Sequence, residues 1–148
     1  MTIKRLGQSD LAALRKLNKL FAEVFEDEES YASKPPSDGY LREFLGNAAN
    51  IVLVAEDEGR VVGGAVGYLL QKFEQKRSEV YLYDLAVAKD QQRKGVGTAL
   101  MRRLRAVAAE AGAWVVFVQA DEGDEAVEFY RALGPSEDLS TRNFDFLT

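Results

Sequence analysis

Positions 85–98 read Leu85-Ala86-Val87-Ala88-Lys89-Asp90-Gln91-Gln92-Arg93-Lys94-Gly95-Val96-Gly97-Thr98. A strand-like run delivers the chain into a glycine-bearing turn, and a helical pattern begins inside that turn. A helix N-terminus leaves its first amide N–H groups without intrahelical partners and carries about half a positive charge, which makes it an anion site. Gly95 and Gly97 present no side chain to block a phosphate from the backbone, and Arg93 and Lys94 add formal positive charge. The spacing is neither a P-loop nor a dinucleotide fingerprint, because it lacks Gly-Lys-Ser/Thr and Gly-x-Gly-x-x-Gly. On these residues alone, a glycine turn that simply starts a helix explains the pattern equally well.

The rest of the composition narrows the chemistry. There is no cysteine and no histidine among the 148 residues. That excludes disulfides, thiolate metal sites, a cysteine nucleophile and any serine–histidine triad, and leaves no histidine to bind a metal. Carboxylates, tyrosines, lysines and backbone amides remain. The net charge of −5 disfavours a nucleic-acid binder and suits a cationic partner. It is unevenly spread. Residues 89–105 hold six bases and one acid, residues 119–138 hold seven acids and one base, and Glu26-Asp27-Glu28-Glu29 is an unbroken acidic block. Solvated faces explain any single run of this kind. The longest uncharged stretch, 44–55, is 12 residues, too short to span a bilayer. With no basic-then-apolar leader, the expectation is a cytoplasmic protein.

These residues need elements to position them. A short strand is expected at 2–6. Ser9 is placed to cap a helix over 10–25, where Leu11, Leu14, Leu17, Leu20, Phe21, Val24 and Phe25 follow the helical period. Pro35-Pro36 forces an extended loop. Ser37 caps a second helix carrying Tyr40, Leu41, Phe44 and Leu45 and ending at Gly46. Apolar runs at 51–55 and 61–70 flank Asp57-Glu58-Gly59-Arg60, a hairpin signal. A third strand of the series follows at 79–87, then a helix over 95–111 stopped by Gly112. The uninterrupted apolar run 114–118 reads as a strand buried on both faces. A helix over 126–133 ends at Gly134-Pro135, and 142–147 reads as a last strand. The reading is one domain over 1–148 with a mixed α/β architecture around a central sheet.

Gln92-Arg93-Lys94-Gly95-Val96-Gly97 resembles the Gln/Arg-x-x-Gly-x-Gly/Ala signature of the GNAT superfamily of acetyl-CoA-dependent N-acetyltransferases. Leu85-Ala86-Val87 matches the strand before it, and Phe129-Tyr130-Arg131-Ala132-Leu133-Gly134 matches the superfamily's second marker. The resemblance covers essentially the whole chain. It implies a central, mostly antiparallel mixed sheet with splayed strands, flanked by helices, and acetyl-CoA as cofactor. Residues 72–87 are similar to the small GNAT-type aminoglycoside 3-N-acetyltransferases. So are Val118-Gln119-Ala120-Asp121-x-Gly123-Asp124 and, more weakly, the Tyr31…Pro35-Pro36-Ser37-Asp38-x-Tyr40-Leu41 region. Residues 139–146 match that family's terminal strand only loosely.

The resemblance implies roles. The CoA pyrophosphate would sit on the amides from Arg93 to Thr98, with Gln92 opening the motif, and the pantetheine arm would pair with the strand edge at Leu85, Ala86 and Val87. An amide there would hold the thioester oxygen as charge develops. Tyr130 would be the general acid at the departing sulfur. Removal of the amine proton falls to a carboxylate, a tyrosine or a water chain. Glu79, Tyr81, Tyr83 and Asp84 lie on the strand entering the site. Period 2 puts the first three on one face and Asp84 on the other, unless a bulge changes the phase. Asp84 is the leading candidate to hold the attacking ammonium. Glu26, Asp27 and Glu28 on one side, and Asp121, Asp124 and Glu125 on the other, would face a polycationic aminoglycoside. Family members are often homodimers.

Two other functions fit the same residues: acetylation of another amine (a polyamine, a protein N-terminus or a lysine), or a non-catalytic acyl-CoA sensor.

Overall fold

The computed structural model describes residues 1–148, which form two compact units, Met1–Val118 and Gln119–Thr148. In the first, β1 (Thr2–Arg5) is followed by three helices, α1 (Leu11–Phe25), α2 (Glu28–Tyr31) and α3 (Asp38–Gly46). Then come β2 (Asn50–Asp57), β3 (Arg60–Gln71) and β4 (Ser78–Val87), a 3-10 turn over Lys89–Gln91, α4 (Val96–Glu110) and β5 (Ala113–Val118). The strands form one sheet in the order β1-β2-β3-β4-β5, antiparallel except for the parallel β4–β5 pair. No helix is long and apolar enough to cross a membrane.

The helices cover both faces of this sheet, and the glycines of β3 show how closely. A Cβ on Gly64 would lie 2.3 Å from Leu17 of α1, and one on Gly63 would lie 3.1 Å from Val96 and 3.3 Å from Leu100 of α4. Only a glycine lets α1 seat Leu17 against the strand at position 64. Val52, Val54, Val66 and Ala86 pack with Leu14, Leu17 and Phe21 on the α1 side. The alternate residues Leu53, Ala65 and Leu82 are equally buried on the other. Coverage on both faces explains why β2 and β3 read as apolar runs without alternation. Glu58 (φ 48°) and Gly59 (φ 76°) make the two-residue turn joining them, the left-handed pair that suits strand twist.

One irregularity matters for the site. Asp84 pairs with Val66 while Leu82 pairs with the next residue, Gly67. Tyr83 is therefore an extra residue on β4, a β-bulge. The bulge resets the phase, so Asp84 joins Tyr81 and Tyr68 on the α1 face instead of the α4 face that plain alternation assigns it.

Four expectations need correction. Ser9 does not cap α1. Asp10 precedes the helix, and its carboxylate turns back to accept from the Gly7 amide (2.8 Å) and to pair with Lys4. The stretch between residue 25 and Pro35-Pro36 carries no expected element, yet Asp27 caps the short α2 by accepting from the Ser30 amide at 3.0 Å. β5 is not buried on both faces. It is an edge strand, and Trp114 is 56% exposed.

In the second unit, Asp124 caps α5 (Glu125–Ala132) by accepting from the Ala126 amide at 2.9 Å. Gly134 (φ 71°) follows the helix, and Arg131 binds Glu128 at 3.2 Å and Asp138 at 2.7 Å. Here lies the fourth correction. Residues 142–147 form no strand, although Phe144 and Phe146 alternate with polar residues. This unit contains no strand for them to pair with, and a lone strand is not stable.

Candidate active site

β4 outruns its neighbour. The last β4–β5 pair is Leu82 with Val118, where β5 ends, while β4 continues to Val87. The Ala88 amide donates to the Val62 carbonyl on β3 (2.8 Å). By alternation Ala86 turns the same way, with its methyl in the α1-side core. Leu85 and Val87 therefore direct their backbone groups to the opposite, open edge. Of the three strand residues expected to meet a cofactor, these two offer backbone partners and Ala86 does not.

The loop after β4 is held in an uncommon conformation. Arg93 (φ 61°) and Gly95 (φ 85°) are both left-handed, the first a non-glycine residue in a sparsely populated region of the kind that clusters at functional sites. The Gln92 side chain donates to the Val87 carbonyl (3.1 Å), tying the loop to the strand. No side chain caps α4, and its first hydrogen bond runs from the Ala99 amide to the Gly95 carbonyl (3.0 Å). The amides of Val96, Gly97 and Thr98 thus have no intrahelical acceptor, with the exposed Arg93 and Lys94 beside them. Asp90 does not oppose an anion here. Arg60 engages it twice, at 2.7 and 3.0 Å, and that guanidinium helps hold its carboxyl down at about 2. This loop and the open edge fit a phosphate-bearing cofactor with an amide-containing arm.

On the α1 face of β4 lies a cleft of about 220 Å³ lined by Asn18, Tyr31, Tyr40, Phe44, Tyr68 and Asp84 among others. Tyr31, at the end of α2, donates its hydroxyl to the Asp84 carboxylate. The Tyr31 ring is itself fixed by Phe21 and Phe25, with centroids at 5.7 and 5.6 Å. Tyr68 shares the cleft lining with Asp84, and a chain of rings runs on from it. Tyr68 meets Phe44 (6.3 Å) and Tyr83 (6.0 Å), and Tyr81 meets Tyr83 (5.5 Å) and Phe117 (4.7 Å). Burial pushes the Asp84 carboxyl above its ordinary value, opposed by the Tyr31 hydrogen bond. Burial also raises Tyr31, Tyr68 and Tyr81, with the Asp84 charge acting in the same direction. A carboxylate set among aromatic faces, with no lysine or arginine in the lining, attracts an organic cation by charge and by cation–π contact.

The remaining expected site residues have other neighbours. Glu79 accepts from the Trp114 indole at 3.1 Å and lies 3.9 Å from Lys72, outside the cleft lining. Its neighbours account for it as a strand-to-strand tie. Glu26 pairs with Lys89 (3.6 Å), Asp27 spends its carboxylate on the α2 cap, and Glu28 is exposed. In the second unit Asp121 and Glu125 are exposed and Asp124 is a cap. Also there, burial pushes the Tyr130 hydroxyl up to about 12, with Asp124 adding to the effect. Sequence reasoning assigned no role to Tyr31, Tyr40 or Tyr68. The available signal was position: Tyr31 lies two residues beyond the acidic block, and Tyr68 pairs across the sheet with Tyr81.

A model of the acetyltransferase (GNAT) family matches residues 14–134. The chain belongs to the GNAT acetyltransferase family. Solved structures agree. Aminoglycoside acetyltransferase HMB0005, from an uncultured soil metagenomic sample, is 39% identical with a TM-score of 0.91, covering 99% of this chain and 98% of that one. Aminoglycoside acetyltransferase meta-AAC0020, also from an uncultured soil metagenomic sample, is 33% identical in its complex with trehalose, with a TM-score of 0.93, covering 99% and 95%. The same enzyme has been solved with sisomicin. A ribosomal-protein-alanine N-acetyltransferase from Brucella melitensis biovar Abortus 2308 shares the fold at 23% identity and a TM-score of 0.73, covering 98% of each chain. No curated protein sequence matches the chain. The expected GNAT fold, a mixed, mostly antiparallel sheet flanked by helices, is what the chain adopts.

Proposed function

We propose that this acetyltransferase moves the acetyl group of acetyl-CoA to the 3-amino group of an aminoglycoside antibiotic, by direct transfer with both substrates bound, and so confers resistance. One observation carries the reading. Asp84 and Leu85 are consecutive, yet the first directs its carboxylate into an aromatic, cation-attracting cleft while the second directs its backbone to the open edge of β4. An amine held by one would meet a thioester held by the other. Similarity along nearly the full length to two aminoglycoside acetyltransferases supports this acceptor class, and the match over residues 14–134 supports one acetyltransferase domain over 1–148.

When bound, acetyl-CoA supplies a thioester, so that the C–S bond breaks as the C–N bond to the acceptor forms. The chain's own residues do the rest. The Val96, Gly97 and Thr98 amides, with Arg93 and Lys94, bind the pyrophosphate. The Leu85 and Val87 edge pairs with the pantetheine arm and stabilises the carbonyl oxygen as it gains charge. Asp84 holds the acceptor's ammonium and takes one proton from it, freeing the lone pair, and the second amine proton leaves to water. Tyr130 gives its hydroxyl proton to the departing sulfur. Tyr81 and Tyr83 supply aromatic faces to the acceptor. The exposed acids Glu26, Glu28, Asp121 and Glu125 steer a polycation.

Thiol release from acetyl-CoA tests the acceptor class, with gentamicin, kanamycin, spermidine and a lysine peptide as acceptors. Turnover with the aminoglycosides and not with the peptide is the expected result. Turnover confined to spermidine or the peptide gives the enzyme another amine, and tight CoA binding with no thiol release makes it a sensor.

A further inference from the structure

Tyr31 has no part in the chemistry described so far, yet its hydroxyl is hydrogen-bonded to Asp84 inside the cleft. It is the last residue of α2, and α2 itself is held together at its start by the Asp27 cap. Its ring packs against both Phe21 and Phe25 of α1, which stack on each other, so the phenol oxygen has a fixed position at the end of a rigid ring. That oxygen meets Asp84 across 53 positions of sequence.

We infer that Tyr31 is a positioning residue for Asp84: its hydroxyl occupies one carboxylate oxygen, fixes the plane of the group, and leaves the other oxygen as the single seat for the acceptor's ammonium. This rests on the reading in which Asp84 receives the amine proton. The terminal torsion of an aspartate is broad and nearly two-fold, so an unanchored carboxylate would present either oxygen over a range of angles. Acyl transfer needs the nitrogen fixed to within a fraction of an ångström of the carbonyl carbon. One strong donor to one oxygen removes that freedom.

The same bond keeps Asp84 ready to accept a proton. Burial favours the neutral acid, and a donor to the carboxylate favours the ion. The groups facing Asp84 are Tyr31 from α2, Tyr68 from β3, Tyr81 and Tyr83 from β4, and Tyr40 from α3 with Asn18 from α1 in the cleft wall. Asp27 is the further charge acting on Tyr31. No cation is among them, so the Tyr31 hydroxyl is what stabilises the ion. The arriving ammonium then takes the second oxygen.

The test is Tyr31→Phe, which keeps the ring against Phe21 and Phe25 and removes the donor alone. In the free protein, the carboxyl carbon of Asp84 is titrated by NMR, identified by the resonance missing in Asp84→Asn. Its midpoint is expected to rise by about half a unit or more in Tyr31→Phe. The acid limb of kcat/KM for sisomicin is expected to move to higher pH by the same amount, a change that lost packing would not produce. Midpoints within about 0.2 units of the parent, in both measurements, would overturn the inference. Asp84→Asn separates the two levels. If it abolishes turnover while Tyr31→Phe leaves the titration unmoved, the Tyr31 role fails alone. If it turns over within about threefold of the parent, the Asp84 role fails and takes the Tyr31 role with it.

Discussion

Asp84 lies opposite Val66 across the β3–β4 ladder, although Leu82 lies opposite the residue next to Val66. That single extra residue, Tyr83, decides where the carboxylate goes. Without the bulge, Asp84 would point to the α4 face among Leu82, Leu100 and Leu104, all fully buried, where an unpaired carboxylate is costly. With it, Asp84 faces the aromatic cleft and meets a hydroxyl donor.

Asp84→Asn should therefore lower kcat/KM for an aminoglycoside by about 10²-fold or more. The parent enzyme should show an acid limb above the ordinary carboxylate range, because burial raises this group. The sign follows from the need for the ionised form, so activity is lost as pH falls through the raised midpoint. The variant should lose that limb. Steady-state profiles of parent and variant from about pH 4 to 9 check both points.

Tyr130→Phe should lower kcat by about 10²-fold with little change in KM for the acceptor. With its hydroxyl held up at about 12, Tyr130 keeps its proton at neutral pH, as a donor to the leaving thiolate must. A decrease under about threefold retires the role.

Gly64→Ala tests the packing that holds α1 over the sheet. The new methyl would lie 2.3 Å from the Leu17 side chain and 2.8 Å from the Leu53 carbonyl, and the second of these is backbone that cannot swing away. Overpacking of this kind costs about 1–3 kcal/mol, or about 2–4 °C in Tm per kcal/mol for a chain of this size. Thermal unfolding followed by circular dichroism reads it directly.

Salt should weaken the acceptor's binding more than the reaction itself. Individual exposed ion pairs contribute about 0–1 kcal/mol and are screened, but several acids acting on one polycation sum. KM for a polyamine-bearing acceptor should climb steeply between about 50 and 300 mM salt, with kcat nearly flat. A KM constant over that range removes the steering role of the acidic blocks.

Much of this was legible in the sequence because local signals agreed with the fold. Ser37 caps α3 through the Tyr40 amide, as its position suggests. The Glu58-Gly59 turn joins β2 to β3, and the glycine loop begins α4 after β4. The site was half legible. The Gln92–Thr98 segment announces an anion site through chemistry contained in one short stretch. The aromatic cleft is built from α1, α2, α3, β3 and β4, and no local pattern says that Tyr31 will meet Asp84. The bulge was foreseeable only as an option, because its position depends on which β3 residues lie opposite. The acids misled in another way. Asp27 and Asp124 are acidic residues in acidic blocks, but each is spent on capping a helix, a local need that net charge does not register. Residues 142–147 carry a strand pattern whose partner the sequence cannot supply.

The central claim is that this fold acetylates the 3-amino group of an aminoglycoside, and the product itself tests it most directly. Purified enzyme, acetyl-CoA and sisomicin are incubated, and the product is analysed by mass spectrometry and by two-dimensional NMR. The predicted result is sisomicin carrying one acetyl group, on the 3-amino nitrogen. Unmodified sisomicin recovered beside intact acetyl-CoA would contradict the claim, and an acetyl group on any other nitrogen would contradict its regiochemistry.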